Sequence, residues 1–297
     1  MTARGPASAR FFRGDRPVAA PDGGHRGIAY GDGLFETMRG HDGGIPWWER
    51  HWTRLRAGAA RLAITTPDAD QVAAEAGALL RAHGDGVIKL VLSRGAGGRG
   101  YAPVESGRAQ AAPDWQLAWH PLPPAHGRAL ALRWCALRLS SQPLLAGLKH
   151  CNRLEQVLAR AEWTRAGADD AQADEGLLRD QDGDVVGAVS ANVFAYAQGR
   201  WTTPKVDRCG VAGVCRAWAL AALDAREARL PPDALDAADA VFLCNAVRGI
   251  LPVARLGGRH WPAHPAVAAA QARLAAAHPA FAPPASPPPA RTGTEPA

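Results

Sequence analysis

The sequence predicts an α/β protein of two lobes, a smaller N-terminal lobe and a larger C-terminal lobe with a β-meander or barrel-like core. With 297 residues, of which 47% are apolar, the chain is long enough to bury two hydrophobic cores. Helical and strand patterns alternate up to about residue 118, whereas strand patterns prevail further on. A proline-rich passage between them, HPLPPAHG, marks the boundary of the two lobes.

The N-terminal lobe, residues 1–118, is predicted from four patterns. A strand and a turn are expected around DGLFETMR, and another strand from Val87 to Ser93. Apolar residues at helical spacing predict helices from Trp47 to Leu62 and from about Asp68 to His83. Strand alternation then places Ile88, Leu90 and Leu92 on one face of the second strand and Lys89 on the other.

The C-terminal lobe, residues 128–282, follows a linker at residues 119–127, where three prolines prevent regular structure. Its predicted elements are helices at about Asn152–Arg165 and Gly213–Arg229, a strand at Ala240–Leu243, and meander turns at Asp182-Gly183 and Gln198-Gly199. Residues 283–297 have the composition of a disordered tail.

Composition argues against several classes of protein. No apolar run approaches the roughly 18 residues of a membrane span, and no signal peptide precedes the first lobe, so a cytoplasmic protein is expected. Five cysteines without CxxC spacing argue for reduced thiols and against a zinc site or any other metal centre. The net charge of +6 is interspersed with acidic residues. It fits a basic pocket for a small anion, or no partner at all, better than nucleic acid.

Lysine is rare in this chain, because only Lys89, Lys149 and Lys205 occur among 34 basic residues. A desolvated lysine can become a free amine that attacks carbonyl groups, whereas arginine stays protonated. Lys149 follows the apolar stretch 144–148 and precedes apolar residues at helical spacing, so it is predicted to stand at the wall of a partly apolar pocket. Taken alone, the pattern favours an ordinary surface lysine at a helix start.

A glycine-rich loop follows the strand of Lys89. Gly95, Gly97 and Gly100 match the GxGxxG pattern of dinucleotide-binding loops, but the next residues, YAPVESG, are typical of a turn rather than a helix. NAD is therefore rejected as a cofactor. The glycines instead suit a close approach of the backbone to a ligand.

A series of sequence blocks occurs here in the same order as in a known family. The blocks are HRG, YGDGLFETMR, HWTRL, IKLVLSRGAGGRGY, LAGLKHCNRLEQVLAR, EGLLRDQDGDVVGAVSANVF, GVAGVCR and FLCNAVRGILPV. The chain thereby resembles the fold-type IV enzymes that use pyridoxal phosphate, and within them the aminodeoxychorismate lyases. The resemblance implies the two-lobe fold-type IV architecture, a homodimer, and the conversion of aminodeoxychorismate to 4-aminobenzoate and pyruvate in folate biosynthesis.

The resemblance also implies a set of cofactor-binding residues. Lys149 would carry pyridoxal phosphate and act as the general base. The phosphate would be held by Arg54, by the backbone N–H groups of Val214 and Cys215 at a helix start, and by the turn Asn245-Ala246.

A substrate with two carboxylates calls for two cations. The resemblance assigns these roles to Lys89 and to Arg99 in GGRGY. Tyr30 and Arg39 are further candidates for the substrate pocket, and Arg248 stays open, each with ordinary surface or packing roles as the alternative.

Gly187 departs from the pattern of the resembled family. The family places a glutamate five residues before the asparagine of its ANxF block, where the carboxylate keeps the pyridine nitrogen protonated, and here that position is glycine. A lyase whose product is aromatic tolerates a weaker electron sink better than a transaminase does. Two other classes remain: a branched-chain or D-amino-acid aminotransferase of the same fold, and a non-catalytic pyridoxal-phosphate-binding or scaffold protein.

Overall fold

The structure is a computed structural model that describes residues 8–22, 24–97, 100–103, 112–164 and 173–282. The strands form two β-sheets, the first ending at His120 and the second beginning at Leu130, on either side of the predicted linker. The predicted tail at 283–297 lies outside the described residues, and so does Arg99. The lobe boundaries stay a prediction.

The described residues of the N-terminal part form five strands and three helices. They are β1 (Ser8–Arg13), β2 (Arg16–Val18), α1 (Arg26–Tyr30), β3 (Gly33–Gly40), α2 (Trp48–Leu62), α3 (Ala69–His83), β4 (Gly86–Ser93) and β5 (Asp114–His120). The strands pair antiparallel in the order β2-β1-β5-β4-β3. The two predicted helices and both predicted strands of this part are confirmed.

One face of the first sheet is covered by α2 and α3. Ile88, Leu90 and Leu92 on β4 are at most 1% exposed and belong to the core that these helices complete. Lys89 and Val91 are half-buried on the other face, as strand alternation predicts. The hydrophobic effect therefore fixes which face of β3 and β4 is left for a site.

The C-terminal part contains nine strands, four α-helices and a final 3₁₀ turn at Pro279–Phe281 within the described ranges. They are β6 (Leu130–Leu139), α4 (Leu154–Ala161), β7 (Glu175–Asp180), β8 (Val185–Ala188), β9 (Asn192–Ala197), β10 (Arg200–Pro204), α5 (Val214–Ala222), β11 (Arg226–Ala228), α6 (Pro232–Asp236), β12 (Ala240–Asn245), β13 (Gly249–Leu256), β14 (Arg259–His260) and α7 (Pro265–Ala277). The strand order is β11-β10-β9-β12-β13-β6-β7-β8, with β14 on β13. This mixed, curled sheet agrees with the predicted meander and α/β class.

Two helices differ from their predictions. The helix predicted to reach Arg229 ends at Ala222, because Asp224 adopts a left-handed backbone with φ of 47° and residues 226–228 then form β11, parallel to β10. Helix α4 spans only Leu154–Ala161. No helix in the described ranges is long and apolar enough to cross a bilayer.

Candidate active site

A short backbone segment carries Lys149 between the two sheets. The N–H of Phe35 on β3 donates to the Lys149 carbonyl at 2.9 Å, and the N–H of Cys151 donates to the Gly33 carbonyl at 2.9 Å. On the other side, Gly147 accepts from the N–H of Ala212 at 3.0 Å. We call residues 147–151 the lysine strap. Hydrogen bonds to both lobes fix the position of Lys149.

The Lys149 side chain opens onto a cavity of about 460 Å³ between the lobes. Its amine lies 4.2 Å from the centre of the Phe35 ring. Burial of the amine, together with the nearby charges of Arg54 and Arg153, lowers its pKa from 10.5 to about 7, although Glu36 opposes this. The predicted free amine is therefore supported, since a pKa near neutrality makes the unprotonated form readily accessible.

A buried carboxylate organises the wall beside this amine. Glu36 on β3 accepts from Arg54 Nε at 2.8 Å and Arg54 Nη2 at 2.5 Å, and it lies 2.6 Å from His51 Nδ1. Burial alone would raise the pKa of Glu36, but the charge of Arg54 and the hydrogen bonds from both partners lower it to about 2. Burial lowers the pKa of His51, which favours the neutral imidazole. Nδ1 is the donor, because the ionised Glu36 carboxylate can only accept. Arg54 is held rigidly as a result.

Arg54 and the start of α5 make an anion-binding corner. Arg54 Nη1 donates to the Ala212 carbonyl at 2.9 Å, just before the helix, which leaves further N–H groups of the guanidinium for a ligand. The first N–H groups of α5, including those of Val214 and Cys215, have no partner within the helix and carry its positive end. A Cβ at Gly213 would lie 2.0 Å from Asn192 Oδ1, so a larger residue there would have to displace the Asn192 side chain, whose Nδ2 donates to the Val211 carbonyl.

The turn between β12 and β13 closes this corner. Asn245 Oδ1 accepts from the N–H of Val247 at 3.0 Å and of Arg248 at 2.8 Å. The Ala246 N–H is the donor that remains, since it has no hydrogen bond among the described residues. Asn245 and Ala246 line the same cavity as Lys149 and Arg54.

These residues fit pyridoxal phosphate. An amine, a rigid guanidinium, a helix start and a turn all line one cavity of about 460 Å³. The described residues that line the cavity include no aspartate or glutamate. Gly187 forms part of the wall, so the carboxylate that the family places at this position is replaced by no other acid on that wall.

Three described residues predicted to contact the substrate, Lys89, Arg39 and Tyr30, are not among those that line the cavity. Lys89 Nζ lies 5.7 Å from the Phe35 ring, on the sheet face beside the cavity. Arg39 donates to the Val247 carbonyl at 3.1 Å and stacks over Phe281. Tyr30 packs against Tyr101 and Arg26, away from the residues that line the cavity. The substrate roles of these three residues, and of Arg99, stay predictions.

Several lining residues were not expected from the sequence. They are Phe35, Thr37, Arg153, Gln156 and Asn192. Strand alternation in LFETMR could have identified Phe35 and Thr37. They lie on the opposite face of β3 from the buried Leu34 and Met38. The sequence pattern gives no sign that Arg153 differs from an ordinary residue at a helix start. In the structure its guanidinium donates to the carbonyls of His150 and Leu148 in the lysine strap.

Known proteins share this chain's sequence and fold. An aminodeoxychorismate lyase from Vibrio harveyi is 36% identical over 243 residues, covering 77% of this chain and 85% of that protein. The crystal structure of 4-amino-4-deoxychorismate lyase from Pseudomonas aeruginosa is 42% identical, with a TM-score of 0.80 over 90% of this chain and 98% of that chain. A fold IV transaminase from Curtobacterium pusillum, 24% identical, has the same fold with a TM-score of 0.72 over 91% of this chain and 98% of that chain.

The family match covers most of the cavity wall. The model of the amino-transferase class IV family matches residues 33–256, which include β3, the lysine strap, the start of α5 and the β12–β13 turn. Enzymes of this family depend on pyridoxal phosphate, in agreement with the cofactor predicted from the sequence. The chain belongs to the class IV aminotransferase family, and its fold is that of the fold-type IV enzymes.

Proposed function

We propose that the chain is a pyridoxal-phosphate-dependent lyase that converts 4-amino-4-deoxychorismate to 4-aminobenzoate, a folate precursor, and pyruvate. The observation that carries the proposal is Lys149, an amine with a pKa of about 7 in a cavity that also presents anion donors. The relatives from Vibrio harveyi and Pseudomonas aeruginosa, both named as this lyase, support the choice of reaction.

The reaction requires that one proton be moved. The substrate loses a proton from its amine-bearing ring carbon, the neighbouring carbon loses the enolpyruvyl group, and the ring becomes aromatic. Bound pyridoxal phosphate supplies the electron sink that makes this proton removable. Lys149 accepts the proton, and because its pKa is near neutral it can give the proton to the departing enolpyruvate, which becomes pyruvate.

The other residues hold the reactants in place. Glu36 and His51 keep the Arg54 guanidinium in one orientation toward the phosphate. The lysine strap keeps the Lys149 backbone fixed, so only the side chain has to move during proton transfer. Most of the contribution of the protein is therefore positioning.

We further propose that the enzyme is a cytoplasmic homodimer. Leu154, Val157 and Leu158 of α4 are 69%, 59% and 50% exposed. The same helix contributes Gln156 to the cavity wall. A second copy of the chain would cover these apolar residues and shield the cavity from water. The free state of all five cysteines supports a reducing compartment. Light scattering on the wild type and on Leu158→Glu tests the dimer, which the variant should weaken.

An aminotransferase of the same fold is the second candidate, supported by the fold IV transaminase neighbour. The absence of an acidic residue from the described cavity wall weighs against it. Transamination holds the negative charge until a proton is returned at the cofactor, so it depends more strongly on a protonated pyridine nitrogen than elimination to an aromatic product does.

Product release from aminodeoxychorismate tests the proposal. The wild type should release pyruvate and 4-aminobenzoate in equal amounts, and Lys149→Ala should release neither and lose the visible absorption of the covalently held cofactor. Lys205→Ala is the matched control, because Lys205 is an exposed lysine outside the cavity and should behave as the wild type. Rapid transamination with 2-oxoglutarate, without release of pyruvate, would assign the chain to the aminotransferases.

A further inference from the structure

Among the described residues, four cations line the cavity, and three of them are engaged by the protein. They are Arg54, Lys149, Arg153 and Arg248. Arg54 is paired with Glu36, Lys149 lies against the Phe35 ring, and Arg153 donates to backbone carbonyls. The Arg248 guanidinium has no hydrogen bond or ion pair with any described residue.

The surroundings of Arg248 do not neutralise it. Burial lowers the pKa of Arg248, and the charges of Glu175 and Asp174 offset this only in part. Neither carboxylate is within 4.0 Å of the guanidinium in the described part of the chain. Asp174 is paired with Arg128, and Glu175 accepts hydrogen bonds from Ser190 Oγ and the Gly176 N–H. The N–H groups of the guanidinium are therefore free of acceptors from the described residues and can be donated to a ligand that enters the cavity.

Arg54 and Arg248 are held by different elements of the cavity wall. Arg248 lies at the β12–β13 turn, where its backbone N–H donates to Asn245 Oδ1 at 2.8 Å. Its charge acts on Glu175, which is bonded to Ser190, and Ser190 lines the cavity. Arg54, by contrast, is tied to Ala212 in front of α5. Protein acceptors therefore hold the Arg54 guanidinium beside α5, whereas the Arg248 guanidinium is available to a second anionic group.

We infer that Arg248 binds a carboxylate of the substrate. The inference rests on the proposed function, because that substrate carries two carboxylates. A planar guanidinium can donate two parallel N–H groups to a carboxylate, which orients the substrate as well as attracting it. Arg248 follows the turn Asn245-Ala246 by two residues, so one hairpin would hold both cofactor and substrate.

The experiment compares Arg248→Met with Arg255→Met and Arg248→Lys. Arg255 is half-buried on β13 of the same hairpin and does not line the cavity, so its replacement removes the same charge elsewhere. Chorismate, which has two carboxylates but lacks the reacting amine, is titrated into each holoenzyme by calorimetry. Arg248→Met should bind it roughly 30-fold or more weakly, as loss of a buried charge partner does. Arg255→Met should bind as the wild type does, and Arg248→Lys should recover part of the loss.

Cofactor affinity and product release complete the test. The dissociation constant for pyridoxal phosphate should stay within about twofold in Arg248→Met, since the Arg248 side chain is not one of the proposed phosphate donors and its backbone N–H is retained in the variant. Unchanged chorismate binding in Arg248→Met, a parallel loss of pyridoxal phosphate, or a wild type that does not bind chorismate would each overturn the inference. A wild type that binds chorismate through Arg248 but releases no pyruvate from aminodeoxychorismate would leave the arginine's role intact and refute the proposed reaction.

Discussion

Replacement of Glu36 by glutamine should lower the free energy of unfolding by about 3 kcal/mol. The pKa of Glu36 falls from 4.5 to about 2 in the folded protein. Each factor of ten in proton affinity corresponds to about 1.4 kcal/mol, which gives this magnitude. The figure is in the range expected when one partner of a buried ion pair is removed, because the Arg54 side chain is only 14% exposed and keeps its charge.

The same change should alter the reactive amine. The charge of Glu36 raises the pKa of Lys149, whereas that of Arg54 lowers it. Glu36→Gln should therefore move the Lys149 pKa further below 7, and Arg54→Gln should move it upward. Opposite shifts from two residues that form one ion pair distinguish an electrostatic effect from general damage to the fold.

The assay is urea unfolding at pH 7 and at lower pH. The carboxylate of Glu36 stabilises the fold fully above its unfolded pKa of about 4.5, and this contribution is lost as the pH falls toward about 2. Wild type and Glu36→Gln should consequently converge in acid. Glu49→Gln, at an exposed position of α2, is the control and should change stability by less than about 0.5 kcal/mol. A loss below about 1 kcal/mol in Glu36→Gln at pH 7 would refute the reasoning.

Two further predictions concern the cofactor. Capture of pyridoxal phosphate by the apoenzyme should accelerate as the pH rises through about 7 and then level off, because only the unprotonated Lys149 amine reacts. A midpoint near 10 in stopped-flow absorbance would show that the amine is not desolvated. Gly187→Glu should raise side transamination more than lyase turnover. The backbone of Gly187 is outside the left-handed region, and a Cβ would lie 3.1 Å from the Ala191 carbonyl, so the variant should fold after a small local shift. Equal effects on both reactions would contradict the electron-sink argument.

Composition drew attention to Lys149, but the local pattern alone favoured a surface lysine, and only the resemblance to the family predicted its place at the cavity. Arginine is so strongly preferred in this chain that a lysine after an apolar stretch is conspicuous, and the strap indeed places it on the cavity. The role of Glu36 could not be predicted. Strand alternation puts Glu36 on the buried face of β3, where an apolar residue would be expected. Its partners, His51 and Arg54, lie on α2, and the sequence does not show how that helix packs on the sheet.

The helix boundaries show a similar limit. The sequence ALAALDAREARL has strong helix propensity, yet the chain leaves the helix at Ala222 because pairing of β11 with β10 outweighs local preference. The apolar spacing in α4 predicted an amphipathic helix, but spacing does not tell which partner covers the apolar face. Here that face is exposed in the single chain.

The lysine strap fixes the backbone of the reactive lysine relative to both lobes. An unsupported loop would let Lys149 move as the cavity opens. The backbone of the lysine strap is instead hydrogen-bonded to β3 on one side and to residues 210–212 on the other. Any separation of the lobes must break those backbone bonds before it displaces the lysine. The substrate therefore has to enter by movements at the rim of the cavity. The backbone that carries Lys149 stays bonded to both lobes while it enters.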